Sequence, residues 1–151
     1  LVQPDGVSGV AARPGFLGWD NKADKDIDDP GFIRGLIVAA DEILNIDPAR
    51  IFLYGHSGGG AQAYDVARAH SDLIAGVASL EGSPLLGYHV PTLSVEPVHV
   101  LHLHGTDPTD GPPLEGGKAG SGDDVLGVVE TIGHWAANTT LQAITTTLAR
   151  M

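Results

Sequence analysis

From Asp29 to Leu44 the apolar residues return every three or four positions, through Phe32, Ile33, Leu36, Ile37, Ala40, Ile43 and Leu44, while Arg34, Asp41 and Glu42 fall off that face. This period predicts an amphipathic helix packed on a sheet. Asp29-Pro30 supplies its start, a capping carboxylate followed by proline in the first turn. Asn45 to Arg50 turns the chain. Four residues of strand character, Ile51 to Tyr54, then run straight into Gly55-His-Ser-Gly-Gly-Gly60 and a small-residue helix that reaches about His70. On that helix Gln62, Asp65 and Arg68 lie three apart, which predicts a polar outer face.

Leu73 to Leu80 and Val98 to His104 read as two further buried strands, the second followed by a turn-rich loop from Gly105 to Gly111. Ser121-Gly-Asp-Asp124 resembles a capping box opening a helix with Val125, Val128, Val129, Ile132 and Trp135 on one side. Leu1 to Gly6 reads as the end of a strand breaking into a turn, Val7 to Asp29 is irregular, and Thr139 to Met151 fits either a threonine-rich strand or a short helix. Strands alternating with helices mean parallel crossovers, so the expected fold class is α/β with a mostly parallel sheet and its working residues on loops at the strands' carboxyl ends. The 151 residues make one domain.

Composition narrows the partners. With 42% hydrophobic residues and mean hydropathy near zero, the chain describes a soluble globular protein. No apolar run approaches the ~20 residues that a membrane-spanning helix needs. Nineteen acidic against eight basic residues give a net charge of −11, which argues against nucleic acid and anionic substrates and toward neutral esters or amides. The absence of cysteine removes disulfides, thiolate metal sites and a cysteine nucleophile. Asp20, Asp24, Asp26, Asp28 and Asp29 invite a calcium reading. Lys22 and Lys25 interrupt them and the spacing departs from an EF-hand, so a solvated loop ending in a helix cap is the plainer account.

The Gly-x-Ser-x-Gly stretch carries the chemistry. A serine hydroxyl becomes a nucleophile when a base sits beside it and its oxygen projects clear of the backbone, and a strand-to-helix turn does the projecting. Ser57 is the expected nucleophile. Gly55 and Gly59 are expected where a side chain would collide with the neighbouring backbone, and the Gly58 amide is one oxyanion donor. In the order serine, acid, histidine, the acid candidates are Asp107, closest to the strand end at His104, and Asp110 further into the loop. His134 is the one histidine after them, and its place beside Trp135 in a helical pattern suits a surface residue as well as a base. A rival chemistry is a zinc-dependent hydrolase using His102 and His104, which share a strand face.

Pro4-Asp5-Gly6, Asp28-Asp29-Pro-Gly-Phe32-Ile33, Asn45 to Ile51, Gly55-His-Ser-Gly-Gly59 and Leu101-His-Leu-His-Gly-Thr106, in that order, resemble the polyhydroxybutyrate depolymerase and feruloyl esterase group of α/β-hydrolases. The likeness runs from about Leu1 to Asn138. It implies a three-layer α/β-hydrolase fold, an acyl-enzyme mechanism on small or polymeric esters, no metal or cofactor, and an extracellular setting. The family pattern His-Gly-Thr-x-Asp differs here, where Asp107 follows Thr106 directly, so Asp110 stays open. His134 falls where the family places no catalytic group. The resemblance thus predicts an upstream oxyanion loop and a downstream histidine beyond these residues, an incomplete fold, and no esterase competence for the 151 residues by themselves. A non-catalytic hydrolase-like module is the remaining alternative.

Overall fold

The computed structural model describes residues 1–9, 17–20, 27–85, 96–106, 114–118, 122 and 124–137. In chain order the elements are β1 (Ser8–Gly9), β2 (Leu17–Gly18), α1 (Asp29–Ile43), β3 (Phe52–His56), α2 (Gly58–Ala69), β4 (Gly76–Leu80), β5 (His99–Leu103), β6 (Gly117–Lys118), β7 (Asp124–Val125) and α3 (Val128–Ala136). Strands β3, β4 and β5 form a parallel sheet in that order, while β1–β2 and β6–β7 are short antiparallel pairs. The described residues therefore form an α/β structure built on three parallel strands and three helices.

Strand pairing sets which side chains share a face. Leu53, Val77 and Val100 stand in one row and Gly55, Ser79 and His102 in the next. These rows face the helices. α2 packs on β3 and β4, α1 packs on α2, and α3 reaches β5, so that Ile33, Tyr64, Val66, Ala67, Ile74, Val77, Val98 and Trp135 close into one core. The alternate rows, Tyr54-Ala78-Leu101 and His56-Leu80-Leu103, point away. Among the described residues no helix covers that second face. The second helix layer expected of a three-layer fold is not found among the described residues, and Asp24, Asp26, Asp110 and the segment from Thr139 to Met151 lie outside them.

Local chemistry explains three departures from the sequence reading. The cap of α1 is Asp28, whose carboxylate accepts the Gly31 N–H at 2.8 Å. Asp29 is buried in the first turn and accepts the Asp20 amide at 2.5 Å instead. On α2 every residue from Gly60 to Ala67 is buried, so Gln62 and Asp65 are not on an outer face. The sheet lies on one side of this helix and α1 on the other, and its alanines and glycines let both approach. Finally, α3 starts at Val128 behind Gly127, because Asp124–Val125 is taken into β7 and Val125 bridges Leu85. No capping box opens it. No described helix is long and apolar enough to cross a membrane.

Candidate functional site

Ser57 joins β3 to α2 with φ 52° and ψ −121°, a backbone conformation that costs an L-residue about 1–3 kcal/mol and persists only where its surroundings impose it. Those surroundings are identifiable. The Ser57 N–H donates to the Leu80 carbonyl at 2.9 Å, extending the β3–β4 ladder one residue beyond the strands, while the Ser57 carbonyl accepts the amides of Gly60 (2.9 Å) and Ala61 (3.1 Å) and so opens α2. One residue must serve both a parallel ladder and a helix start. The side chain is left exposed at the carboxyl edge of the sheet.

The glycines divide unequally. A Cβ on Gly55 would lie 2.1 Å from the Gly59 carbonyl oxygen, so the first glycine of the motif is sterically required. A Cβ on Gly59 would meet only the Trp19 indole nitrogen, at 3.8 Å. The second required glycine is Gly60, whose Cβ would fall 2.4 Å from Ser79 Oγ, and Gly82 closes on it from the β4 side, where an added Cβ would fall 2.5 Å from Gly60 Cα and from the Ser57 carbonyl oxygen. The expectation for Gly59 is corrected accordingly. It was misplaced by one residue because the close approach is between α2 and the turn after β4, which no local pattern displays.

Three neighbours went unrecognised in the sequence. Trp19, carried by β2 and by the Asp20–Asp29 hydrogen bond, sets its indole beside the first turn of α2. Glu81, at the end of β4, holds φ 53°, and its N–H donates to the Leu103 carbonyl at 2.8 Å. Its carboxylate lies 3.8 Å from His56 Nε2, an ion pair only when that ring is protonated. Two adjacent strands thus end in non-glycine residues of positive φ at one edge. The third neighbour is Tyr64, whose hydroxyl lies 2.7 Å from His102 Nδ1; His102 Nε2 in turn lies 3.2 Å from His104 Nδ1. Tyr64 also stacks on Trp135.

Electrostatics follow burial. Desolvation lowers His102 to about 4, with His104 adding to the effect, and pushes the Tyr64 phenol above the ordinary tyrosine range. Desolvation raises Asp65 to about 7 against the pull of Arg68. Both shifted rings of the Tyr64–His102 pair are therefore neutral near pH 7.

Of the residues read from sequence, Ser57 and Gly58 stand together at the turn. His134 lies on α3, where its ring faces Glu130 one turn back at 3.8 Å, and no described contact joins it to Ser57. Asp107 and Asp110 fall outside the described residues. His102 and His104 do share a face, but both ring nitrogens of His102 are already hydrogen-bonded within the protein. No group of three or more potential metal ligands occurs among the described residues.

Helices packed on a parallel sheet define the class, an α/β protein, with a strained serine between a strand and a helix at the sheet's carboxyl edge. Neither models of known protein families nor the curated proteins match this chain.

Proposed function

We propose that the protein is a serine carboxylic-ester hydrolase with an α/β-hydrolase core, acting through an acyl-enzyme on feruloyl or polyhydroxyalkanoate-type esters. The observation that carries the reading is the Ser57 turn, with φ 52° between a parallel strand and a helix. That backbone keeps the hydroxyl exposed at the sheet edge, where an ester carbonyl can reach it. In the reaction Ser57 Oγ attacks the carbonyl carbon, its proton passes to a base and then to the departing alcohol, and water reverses the sequence to release the acid. The Gly58 amide is the first oxyanion donor, and Asp107, with Asp110 as the alternative, is the acid that orients the base. His134 is the one histidine of this chain that follows the acid; the resemblance to the esterase group favours a base further along. The acidic surface suits a neutral ester.

The test is labelling by a fluorophosphonate together with hydrolysis of a short-chain aryl ester, in the native protein carrying this chain and in Ser57→Ala. Labelling at Ser57 and turnover that both vanish in the variant are expected. A correctly folded protein that neither reacts nor turns over is the non-catalytic module instead. Turnover by the 151 residues alone would place the base among their seven histidines.

A further inference from the structure

Gly59 is a glycine that neither packing nor backbone requires. It lies in the first turn of α2 with no positive φ, at a place where alanine is the better helix former. Among the described residues, an added Cβ would meet only Trp19 Nε1, at the ordinary contact distance of 3.8 Å. What the missing side chain leaves open is therefore the polar edge of an indole. That indole is firmly held. β2 pairs with β1, and Gly6 closes on the same strand, where an added Cβ would run into the Gly18 carbonyl and lie 2.9 Å from the Trp19 amide nitrogen. The next amide, of Asp20, donates to the buried Asp29 carboxylate at the start of α1. The half-buried ring packs on the core, and its Nε1–H meets no acceptor among the described residues. An indole N–H can only donate, and a partly desolvated donor without a partner favours a ligand oxygen. Ser57, two residues before Gly59, exposes its side chain at the same turn.

We propose that Trp19 Nε1–H is a substrate-binding donor beside Ser57, that Gly59 keeps it accessible, and that the site favours esters carrying a second acceptor oxygen near the scissile carbonyl, as alkoxyacyl esters do. The indole flanks position 59, one residue past the Gly58 amide that serves the scissile carbonyl. An oxygen bonded to it therefore belongs to a neighbouring atom of the substrate. A methylene at that place would leave the donor unpaired, whereas an ether oxygen accepts it. The ester specificity rests on the reading of Ser57 as a nucleophile; the donor itself is tested apart from it.

The native protein carrying Ser57→Ala can bind esters without an acyl-enzyme forming. In its nitrogen-labelled form, the assigned indole N–H resonance of Trp19 is followed during titration with ethyl methoxyacetate and with ethyl butyrate, which differ by one oxygen in place of a methylene. A shift with methoxyacetate that exceeds any with butyrate is expected. Gly59→Ala in the same background should weaken that response while the thermal midpoint stays equal or rises, an outcome that a purely structural glycine would not give. A resonance that ignores both esters overturns the proposal, and so does an equal shift with both, since the acceptor would then be the carbonyl they share. In the active protein, Trp19→Phe should lower kcat/KM for an aryl methoxyacetate about three- to tenfold more than for the aryl butyrate, the size of one neutral hydrogen bond. Intrinsic reactivities cancel in that comparison, and equal losses overturn the proposal. The selective shift in a protein whose wild type turns over no ester would support the donor site and remove the esterase reading.

Discussion

Ser57 occupies a conformation that glycine enters without strain, so two substitutions separate its chemistry from its backbone. Ser57→Ala keeps the strain and removes the nucleophile, whereas Ser57→Gly removes both. Either should abolish ester turnover. Ser57→Gly should exceed Ser57→Ala in stability by roughly 1 kcal/mol, the relieved strain being partly offset by the flexibility of glycine in the unfolded chain. Urea unfolding of the pair measures the difference; an alanine variant as stable as the glycine variant would mean that the turn stores no strain. His102 makes a second prediction at this scale. Its folded value of about 4 lies below the ordinary 6.5, so between those values the unfolded chain binds a proton that the folded chain refuses, and stability falls as pH drops through the window. Asp65 acts in the opposite sense. Folded at about 7 against an ordinary 3.8, it holds a proton that the unfolded chain has released, and its contribution grows as pH falls. His102→Asn isolates the first effect: the variant should lose less stability than the wild type between about pH 6.5 and about pH 4, and parallel curves would remove His102 from the account.

The junction of β3, Ser57 and α2 is held by close backbone approach, which makes its glycines unequal. Gly55→Ala drives a methyl onto the Gly59 backbone, 2.1 Å from its oxygen and 2.3 Å from its carbonyl carbon, and neither element can retreat without breaking the ladder or the helix start. A loss of at least ~2 kcal/mol is expected, at the upper end of overpacking costs. Gly59→Ala meets only the edge of Trp19 at 3.8 Å and gains helix propensity of about 0.5–1 kcal/mol. It should therefore be neutral or stabilising. A thermal scan of the two variants decides between this assignment and a symmetrical role for both glycines. The motif as a string of letters treats them alike. Gly60 and Gly82, which close the second approach, lie 22 positions apart and come together only because the turn after β4 crosses α2.

Across the whole molecule the sheet is loaded on one side. Val77, 3% exposed beneath α2, contrasts with Leu101, 55% exposed on the opposite face of the sheet. Val77→Ala should cost about 2 kcal/mol, while Leu101→Ala should cost under about 0.5 kcal/mol, because the penalty follows the contacts and cavity left behind. Comparable losses at the two sites would show that the second face is buried as well. The charge of −11 acts at this scale too, favouring solubility and neutral ligands without selecting the fold.

How much was legible depends on how far apart the deciding residues lie. The run of Phe32 to Leu44, the strand before Gly55 and the turn at Ser57 are written in local period and composition, and α1, β3 and α2 follow them closely because each is decided by neighbours within a few positions. The sequence alone likewise determined an α/β order with a parallel sheet and singled out Ser57. Only the tertiary structure decided that Asp28 and not Asp29 caps α1, that Gln62 and Asp65 are buried, that Gly60 replaces Gly59 in the tight approach, and that Asp124–Val125 is a strand. Each depends on a partner distant in sequence: Asp20 for Asp29, α1 for the back of α2, Gly82 for Gly60, Lys118 and Leu85 for the strand at Val125. His102 and His104 show the same division. Alternation along a strand places two imidazoles on one face, but only the tertiary structure brings a hydroxyl thirty-eight positions away, on Tyr64, to 2.7 Å from His102 Nδ1.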